Sequence, residues 1–570
     1  MAEPYTIIKC SLKKFCKRED LTQRIQESVE KVNRITTEAY HLLNLHVRRL
    51  LDAKEPIPKL ESNYLRQFFY CVSTTRRKCK IPKVDEAILR TKKELYDPLQ
   101  PPTLYRDGLK GFLNSEAVVM ATCIRNNIVM HFFKRQRKYL RLVHPEIPKG
   151  ELSQFIDQVN EVKGTDVTEP TLPREIIKNV AYDLEKEPEK FLVPMHYMNC
   201  FLEKAQQKVF SLVPLRRGFV PKAIRIDHVT LEAFVHTEQE SQHYKTQKAS
   251  LTKKDEPKKK RKKNCTEDNE LAISLRDMLW NTYFDLRRIK CRKRKYRFDH
   301  SIVTDGVSVS CQFIKKVRTN STPKKKQKKE LQNKGEIDCD SIKNRPVVGI
   351  DPGKHSIIYL TSDDSSIKNR MQYTNIQRRV ELGRKRFNRK QKEKKMKCIF
   401  EAEQVLSQQN SRTVSVEGFR NYIKARWEVQ DVCYNHYSNK LFRIHSWWCY
   451  QNKQKTEAKL IDRVKEKFGD NAVLAYGTWN RCSQMKGLIP SPTSGIRKLL
   501  SHHFTVIDTP EYNTTKLCSK CHTGTMMPVM NRQREKKQKD GTTKMVTYDV
   551  RGLRRCNNES KYLIRNSANF

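Results

Sequence analysis

An aspartate stands at the end of a short apolar run near the middle of the chain. The run is PVVGIDPG over residues 346–353, and its apolar residues favour a β-strand while Pro352-Gly353 favours an immediate turn. A second apolar run, residues 356–360, follows at once. Two strands joined by a tight turn would hold the Asp351 carboxylate at the corner, where it could bind a metal ion. The alternative is a surface turn in which Asp351 only bonds its own backbone, and this motif alone does not decide between them.

Two glutamates are candidates for further metal ligands. In an RNase H-like nuclease, an aspartate at such a corner is the first metal ligand. The site needs two or three more acids, because a pair of divalent ions bridges the scissile phosphate. Glu417 ends the alternating segment 413–419, although an exposed loop glutamate would look the same. Glu457 lies in the apolar stripe of a helix predicted over residues 442–468, where a carboxylate is costly unless a cation or hydrogen bonds receive it. A salt bridge to a lysine is the alternative for Glu457, which we rank before Glu417.

Three cysteines near the end of the sequence have the spacing of a zinc site. Cys518 and Cys521 form a CxxC half-site, and Cys556 follows two arginines where the second half should begin. A fourth cysteine is missing, so the last ligand would be His522, water or nothing. We interpret the set as a damaged structural zinc site, since an open zinc position would instead suggest catalysis.

The charge of the chain indicates a polyanionic partner. Its 570 residues include 114 Lys and Arg against 64 Asp and Glu, a net charge of +50. Nucleic acid is the partner that such a surplus predicts, because each neutralised phosphate releases a condensed counterion. We find no apolar run near the ~20 residues of a membrane-spanning helix and therefore predict no membrane partner.

The cysteine count and two lysine-rich blocks predict an intracellular, nuclear protein. The 17 cysteines are odd in number and no secretion signal precedes them, which favours a reduced compartment. Blocks 257–263 and 323–329 belong in solvated linkers, and the first has the form of a nuclear localisation signal. A generic phosphate-binding tail is the alternative for that block.

Periodicity divides the chain into a split β-domain, a helical region and an α/β region. Strands are predicted over residues 5–12 and 219–226 and in a hairpin over 296–313, with helical spacing over 21–205 and a charged insert over 237–270. The α/β region includes a very basic helical stretch over 376–408. Five basic residues in that stretch are predicted to track a phosphate backbone: Arg378, Arg379, Arg384, Arg386 and Lys390.

Several of these segments together resemble the Fanzor proteins, the eukaryotic relatives of TnpB (OrfB) and of type V CRISPR nucleases. The resemblance rests on GIDPG at 349–353, on Tyr296–Phe298 with TDG at 304–306, and on VLAYGTW at 473–479. The segments TPEYNTTKLCSKC at 509–521 and RGLRRC at 551–556 are the most specific.

The resemblance implies a multidomain α/β fold and an RNA-guided activity. A β-barrel wedge domain (1–20 and 206–316) would be interrupted by a helical recognition domain (21–205) and followed by a basic linker (317–345). An RNase H-like, RuvC-type nuclease core (346–508) would carry a zinc-ribbon insertion (509–560) and a remnant of its last helix (561–570). A monomeric protein would bind a transposon-encoded guide RNA and a double-stranded DNA target and cleave it with Mg²⁺, while Zn²⁺ would occupy the ribbon.

The resemblance also assigns roles to individual residues. Asp351 matches the first catalytic aspartate, whereas the strand that carries a glutamate in TnpB ends here in Gly477. Fanzors resemble TnpB with a relocated glutamate, which fits Glu457 better than Glu417.

The family's last aspartate has no counterpart in the tail, which reads RNSANF over residues 565–570. Its loss and that of the fourth cysteine would reflect a frameshift, a gene-model error or decay, and neither Asp549 nor Glu559 is an obvious substitute. The sequence therefore predicts a guide-RNA-directed DNA endonuclease, with a non-cutting RNA- and DNA-binding relative as the alternative. A resolvase or transposase without a guide is a third hypothesis, which the split β-domain disfavours.

Overall fold

The computed structural model describes most of the chain in two compact units. The described residues are 5–76, 83–148, 150–235, 276–287, 296–315, 345–362, 370–478, 491–511, 516–518, 521, 523–528, 532–537, 543–548, 553–557 and 563–565. Unit 1 comprises Met1–Lys324 and Lys395–Ile444, and unit 2 comprises Lys325–Lys394 and His445–Phe570. Both predicted lysine-rich blocks, the whole of the charged insert 237–270, His522, Asp549 and Glu559 lie outside the described residues.

Unit 1 contains a four-stranded antiparallel sheet of order β1-β4-β3-β2. Its strands are β1 (Tyr5–Ser11), β2 (Ile224–Asp227), β3 (Tyr296–Thr304) and β4 (Ser308–Lys315). The predicted hairpin is confirmed: β3 and β4 turn at Asp305-Gly306, and Asp305 accepts hydrogen bonds from the backbone N–H groups of Val307 and Ser308 at 3.0 and 2.7 Å. The strand predicted over 219–226 is shorter than expected and begins only at Ile224.

Besides a helical segment over residues 276–283, the described part of unit 1 contains helices that cover most of the region predicted to be helical. They are Leu12–Phe15, Glu19–Asp52, Ser62–Cys71, Glu86–Thr91, Lys110–Val129, Phe132–Val143, Leu152–Asn160, Val180–Lys186, Leu192–Lys204, His228–Val235, Lys397–Gln408, Val416–Glu428 and Gln430–Tyr437, with a π-helical turn at Lys92–Tyr96 and 3₁₀ turns at Asp97–Leu99 and Pro188–Phe191. The apolar positions Ile25, Val29 and Val32 are buried at helical spacing in the 34-residue helix Glu19–Asp52. Throughout the described residues, each helix is too short or too polar to cross a lipid bilayer.

The structure of residues 413–419 differs from the interpretation based on sequence alternation. The alternation of this segment is compatible with Glu417 at a strand end or in an exposed loop, whereas in the structure Ser415 caps a helix that runs from Val416 to Glu428. The hydroxyl oxygen of Ser415 accepts a hydrogen bond of 3.1 Å from the backbone N–H of Gly418, and Glu417 lies in the first helical turn, where an acid is favourable. The serine cap therefore overrides the weak alternation. Residues 395–444, predicted within the nuclease core, belong to unit 1.

Unit 2 is built on a five-stranded sheet of order β7-β6-β5-β8-β9. Strands β5 (Val347–Pro352), β6 (Ser356–Ser362) and β7 (Arg370–Thr374) form an antiparallel meander, while β8 (Val473–Gly477) and β9 (Thr505–Thr509) continue the sheet in parallel from β5. Val348 and Ile350 of β5 are fully buried and alternate with Gly349 and Asp351. This alternation confirms the predicted strand and turn.

Helices and two small sheets complete unit 2. The helices are Asn375–Glu381, Arg384–Lys394 and Thr493–Leu500, together with the C-terminal part of Lys440–Phe468, a helix that begins in unit 1. Its residues Leu460, Ile461 and Val464 pack into the core of the five-stranded sheet. The small sheets are β10 (Met526–Pro528) with β13 (Leu553–Cys556) and β14 (Leu563–Arg565), and β11 (Arg532–Lys537) with β12 (Thr543–Tyr548).

Candidate active site and metal centre

Asp351 lies near the carboxyl end of β5, the central strand of the five-stranded sheet. Its side chain is half-buried, and the strand is held on one side by β6 and on the other by β8. The register pairs Ile350 with Tyr476, and the next position on β8 is Gly477, which pairs with Thr509 on β9. Because parallel strands end at the same edge of a sheet, Asp351, Gly477 and Thr509 lie at one level there.

Glu511 is the second carboxylate at this edge. It follows Thr509 by two positions, and a Cβ atom built on Gly477 would overlap its Oε1 atom and lie 3.0 Å from Cδ of Pro352. Position 477 therefore has no room for a side chain. The glycine at the end of β8 makes space for a carboxylate that comes from beyond β9.

The two carboxylates interact electrostatically. Burial and, to a smaller extent, the negative charge of Glu511 together raise the pKa of Asp351 to about 6. Within the described part of the chain, Glu511 is the one carboxylate that has this effect on Asp351. Two like charges at a half-buried site destabilise each other unless a cation lies between or beside them, and oxygen ligands of this kind suit a hard divalent cation. The pair therefore fits a divalent metal site.

Glu457 lies on helix Lys440–Phe468, near Tyr373 of β7. The stripe prediction is right for Leu460, Ile461 and Val464, but the Glu457 side chain is 28% exposed and pairs with Lys453 at 3.6 Å. Burial raises the pKa of Tyr373 in β7, and Glu381 and then Glu457 add to the rise, so Glu457 lies on the Tyr373 side of the helix. Its role as second metal ligand stays a prediction, without support from these contacts.

Glu417 belongs to unit 1, whereas Asp351 belongs to unit 2. Its carboxylate is exposed and pairs with Arg420 at 2.8 Å, three residues along the same helix. An exposed i,i+3 pair of this kind is typical of a helix surface. The ligand role of Glu417 also stays a prediction.

Asp508 is the nearest acid in sequence to Glu511, but a cation already neutralises it. Arg497 on helix Thr493–Leu500 donates two hydrogen bonds to its carboxylate, at 2.5 and 2.7 Å. This bidentate pair ties the helix to β9 and thereby helps to fix the segment that leads to Glu511. Residues 566–570, where the family's third aspartate was expected, lie outside the described residues.

The three predicted zinc ligands form a cluster in unit 2. The sulfur atoms of Cys518, Cys521 and Cys556 all lie within 4.8 Å of one another, and Cys521 and Cys556 are 3.6 Å apart. Tetrahedral Zn²⁺ with Zn–S bonds of about 2.3 Å places two thiolates about 3.8 Å apart. The cluster can therefore hold a metal such as zinc through three thiolates.

Backbone groups prepare this cluster for a cation. Hydrogen bonds from the backbone N–H groups of Gly524, at 3.2 Å, and of Thr523 lower the pKa of Cys521 to about 7, which favours the thiolate that zinc requires. A Cβ atom on Gly524 would overlap Sγ of Cys556 and lie 2.9 Å from Sγ of Cys521. Only glycine leaves space for both sulfur atoms at this turn.

The five predicted nucleic-acid-binding residues lie on two consecutive helices of unit 2. Arg378 and Arg379 are on Asn375–Glu381, and Arg384, Arg386 and Lys390 are on Arg384–Lys394. Arg384, Arg386 and Lys390 are exposed, whereas Arg378 and Arg379 are half-buried. Their binding role stays a prediction, which this exposure and charge favour.

Glu511 and Gly477 are the site residues that sequence reasoning missed. Glu511 lies in the segment 509–521, but the local sequence pattern does not show that the strand before Glu511 pairs with β8. The available signal was the β-favouring run ending at Thr509-Pro510-Glu511, which again places an acid just after a strand and beside a proline.

A family model and a solved structure are similar to this chain. A family model described as "Domain of unknown function (DUF8286)" matches residues 224–315, a range that includes β2, β3 and β4. No curated protein matches the chain. Among solved structures, the chain is similar to one described as "Cryo-EM structure of the Cas12f1-sgRNA-target DNA complex", with 10% sequence identity, 91% of each chain covered and a TM-score of 0.23.

Proposed function

We propose that this chain is a Fanzor-type, RNA-guided DNA endonuclease whose unit 2 is an RNase H-like, RuvC-type nuclease domain. The observation that carries the proposal is the pairing of Asp351 with Glu511 across Gly477 at the carboxyl edge of the sheet. An antiparallel meander extended by two parallel strands is the sheet expected of an RNase H-like domain. Glu511 then takes the place of the relocated glutamate, for which the sequence favoured Glu457.

Asp351 and Glu511 are the residues that would hold Mg²⁺. When bound, the ion would supply Lewis-acid activation for hydrolysis of a phosphodiester. Asp351 contributes a carboxylate from the rigid central strand, and Glu511 contributes one from the segment that the Arg497–Asp508 pair helps to fix. Repulsion between the carboxylates disfavours their both being ionised without a cation, so cation binding and ionisation of Asp351 support each other.

The charge of the chain supports the guide and target part of the proposal. A net charge of +50 and the two basic helices suit the phosphate backbones of a guide RNA and a DNA target. Base pairing would supply sequence specificity, while the protein would bind shape and charge. The three-cysteine cluster is proposed as a structural zinc site of a ribbon beside the nuclease domain.

A non-cutting RNA- and DNA-binding relative is the second candidate. It is favoured because, within the described residues, two carboxylates converge at the sheet edge, whereas a site that holds a pair of metal ions uses more. This candidate keeps the fold and the basic helices and predicts binding without hydrolysis.

A direct test compares binding with cleavage for the full chain. The protein is purified with the RNA that accompanies it, the RNA is sequenced, and a DNA library matching that RNA beside randomised flanking positions is incubated with Mg²⁺. We expect site-specific cleavage that is lost in Asp351→Ala and in Glu511→Gln. Glu457→Gln should cut normally, since its carboxylate pairs with Lys453.

Three outcomes separate the hypotheses. Cleavage lost in Asp351→Ala and Glu511→Gln supports the endonuclease and the assignment of Glu511. Binding of the matched DNA without any cleavage supports the non-cutting relative. Loss of cleavage in Glu457→Gln with normal cleavage in Glu511→Gln would show that Glu457, and not Glu511, is the second metal ligand. Calorimetry with Mn²⁺ measures metal binding independently of cleavage. Asp351→Ala and Glu511→Gln should both weaken this binding.

A further inference from the structure

A cavity of about 410 Å³ lies in unit 2 beside the basic helices. Its walls come from the segment Arg378–Asn388 and from His445–Lys453 of the long helix, all within the same unit. This volume lies in the range of about 300–1,000 Å³ that is usual for sites binding small organic groups. It is large enough for one nucleotide.

Two stacked rings form part of the cavity wall. The rings of Phe387 and His445 have centroids 3.6 Å apart and an interplanar angle of 4°. The thiol of Cys449 lies 3.2 Å from Nε2 of His445 and donates to the carbonyl oxygen of Leu382 at 3.3 Å. Burial and then the charge of Arg384 lower the pKa of His445, so its ring is an uncharged aromatic surface at neutral pH. A flat, fixed aromatic wall of this kind favours stacking of a planar ligand.

Three cations accompany the aromatic wall. Arg378, Arg384 and Lys453 line the cavity, and the described residues that line it include no Asp or Glu. Lys453 also pairs with Glu457 at 3.6 Å, which leaves the two arginines as the main positive groups. A ligand of this cavity should therefore combine a planar ring with a negative charge, which is the chemistry of a nucleotide.

We propose that this cavity binds one unpaired nucleotide of a nucleic-acid strand. The base stacks against the Phe387–His445 ring pair, and the adjoining phosphate lies among Arg378, Arg384 and Lys453. The nucleotide is unpaired because both faces of a base within a duplex are covered by its neighbours. The exposed Arg386 and Lys390 of the same basic helix extend positive charge beyond the cavity, which favours a strand over a free nucleotide. The inference rests on the proposed function, since it assigns a contact to the bound RNA or DNA.

The test measures stacking and affinity separately on the full chain without Mg²⁺. Short single-stranded RNA and DNA oligonucleotides carry one fluorescent 2-aminopurine, whose emission falls when it stacks, and adenosine monophosphate serves as the free-nucleotide probe. Wild-type protein should bind the strands and quench the reporter. Phe387→Leu keeps an apolar side chain and His445→Gln keeps a polar planar group, and each should remove the quenching and weaken binding roughly tenfold.

Arg386→Gln is the matched control. It removes one charge from the same helix but does not line the cavity, so it should weaken binding only a few-fold at low salt and keep the quenching. Thermal melting of each variant shows whether it folds. If Phe387→Leu does not fold, Arg378→Gln serves as a second variant of the cavity.

Each outcome decides the inference. Unchanged quenching in the folded Phe387→Leu and His445→Gln variants overturns it, while cleavage of a matched target would still support the proposed function. Adenosine monophosphate bound as tightly as the strands overturns the assignment to a strand. Wild-type protein that binds neither strand overturns this inference, whereas the proposed function is tested separately by cleavage of a matched target. A stronger effect on RNA than on DNA, or the reverse, identifies which strand contributes the nucleotide and supports the inference.

Discussion

The carboxylate of Glu511 occupies the space that a side chain at position 477 would fill, at the end of the strand between β5 and β9. Gly477 pairs with Thr509, and a Cβ atom on it would overlap Oε1 of Glu511. The missing side chain at the end of β8 is therefore matched by a glutamate from the segment that follows β9. The arrangement keeps two carboxylates at the sheet edge although β8 itself contributes none.

A methyl group at position 477 should disable the site without removing a carboxylate. In Gly477→Ala the new Cβ atom would overlap Glu511 and crowd Pro352, so Glu511 must move away from Asp351. We expect Mn²⁺ binding and DNA cleavage to fall by at least about tenfold, as for loss of a positioned group at a metal site. Calorimetric titration with Mn²⁺ and the cleavage assay measure the two effects.

Gly495→Ala is the control for this substitution. Gly495 lies in helix Thr493–Leu500 of the same unit, and a Cβ atom on it would meet nothing within 4 Å. Alanine favours a helix over glycine by up to about 1 kcal/mol, so this variant should be equally or more stable and fully active. Normal metal binding in Gly477→Ala would show that Glu511 does not depend on the glycine.

Asp351 should make the stability of the metal-free protein depend on pH. The pKa of Asp351 is about 6 in the folded protein against an ordinary 3.8, so the unfolded chain releases this proton at lower pH than the folded one. The folded state therefore loses stability as pH rises from about 4 to about 6, by roughly 3 kcal/mol, and its stability stays at the lower level at higher pH. Asp351→Asn removes the penalty and should raise the melting temperature near pH 7 but not near pH 4.

Addition of Mg²⁺ provides the control for this prediction. The cation offsets the repulsion between Asp351 and Glu511, so it should stabilise the wild-type protein near pH 7 and have little effect on Asp351→Asn. Equal melting temperatures for the two metal-free proteins at every pH would show that the Asp351 carboxylate is not under electrostatic stress.

The parts of the fold that sequence predicted are those set by local pattern. Alternation identified β5 and the β3–β4 hairpin, and the three- and four-residue spacing identified Leu460, Ile461 and Val464 as core residues. These features depend only on residues close in the chain, because each strand or helix has one face toward a core.

The second carboxylate depends on partners distant in the chain, and sequence pattern did not reveal it. Glu511 comes beside Asp351 because β9 pairs with β8 in parallel, across the connection that contains helix Thr493–Leu500. Glu457 was favoured instead because it lies among apolar residues at helical spacing. Its long side chain nevertheless reaches Lys453 at the surface, which periodicity cannot distinguish from burial.

The cysteine cluster should retain zinc through its three thiolates. Purified protein should contain about one equivalent of zinc by mass spectrometry, and Cys556→Ser should lose it because a zinc site needs a closed set of ligands. Gly524→Ala should also lose zinc although every cysteine is kept, since its Cβ atom would overlap Sγ of Cys556.

Cys398→Ser is the matched control, because Cys398 is an exposed free thiol in unit 1. It should retain the full zinc content. Zinc that persists in Cys556→Ser, or wild-type protein purified without zinc, would contradict the assignment of these three cysteines.

Glu38 should hold the helix Val416–Glu428 within unit 1. Its carboxylate is only 2% exposed and accepts hydrogen bonds from the Tyr96 hydroxyl at 2.8 Å and from Nε1 of Trp427 at 3.1 Å. Trp427→Phe keeps an aromatic ring but removes the N–H donor to a charged group, which should lower the free energy of unfolding by about 1.5–3 kcal/mol. Glu38→Ala should lower it further, because several buried donors lose their acceptor.

Hydrogen exchange of residues 416–428 should accelerate in both variants but not in Glu27→Gln, whose side chain is exposed on the same helix as Glu38. Unchanged exchange in Glu38→Ala would show that apolar packing alone fixes this segment.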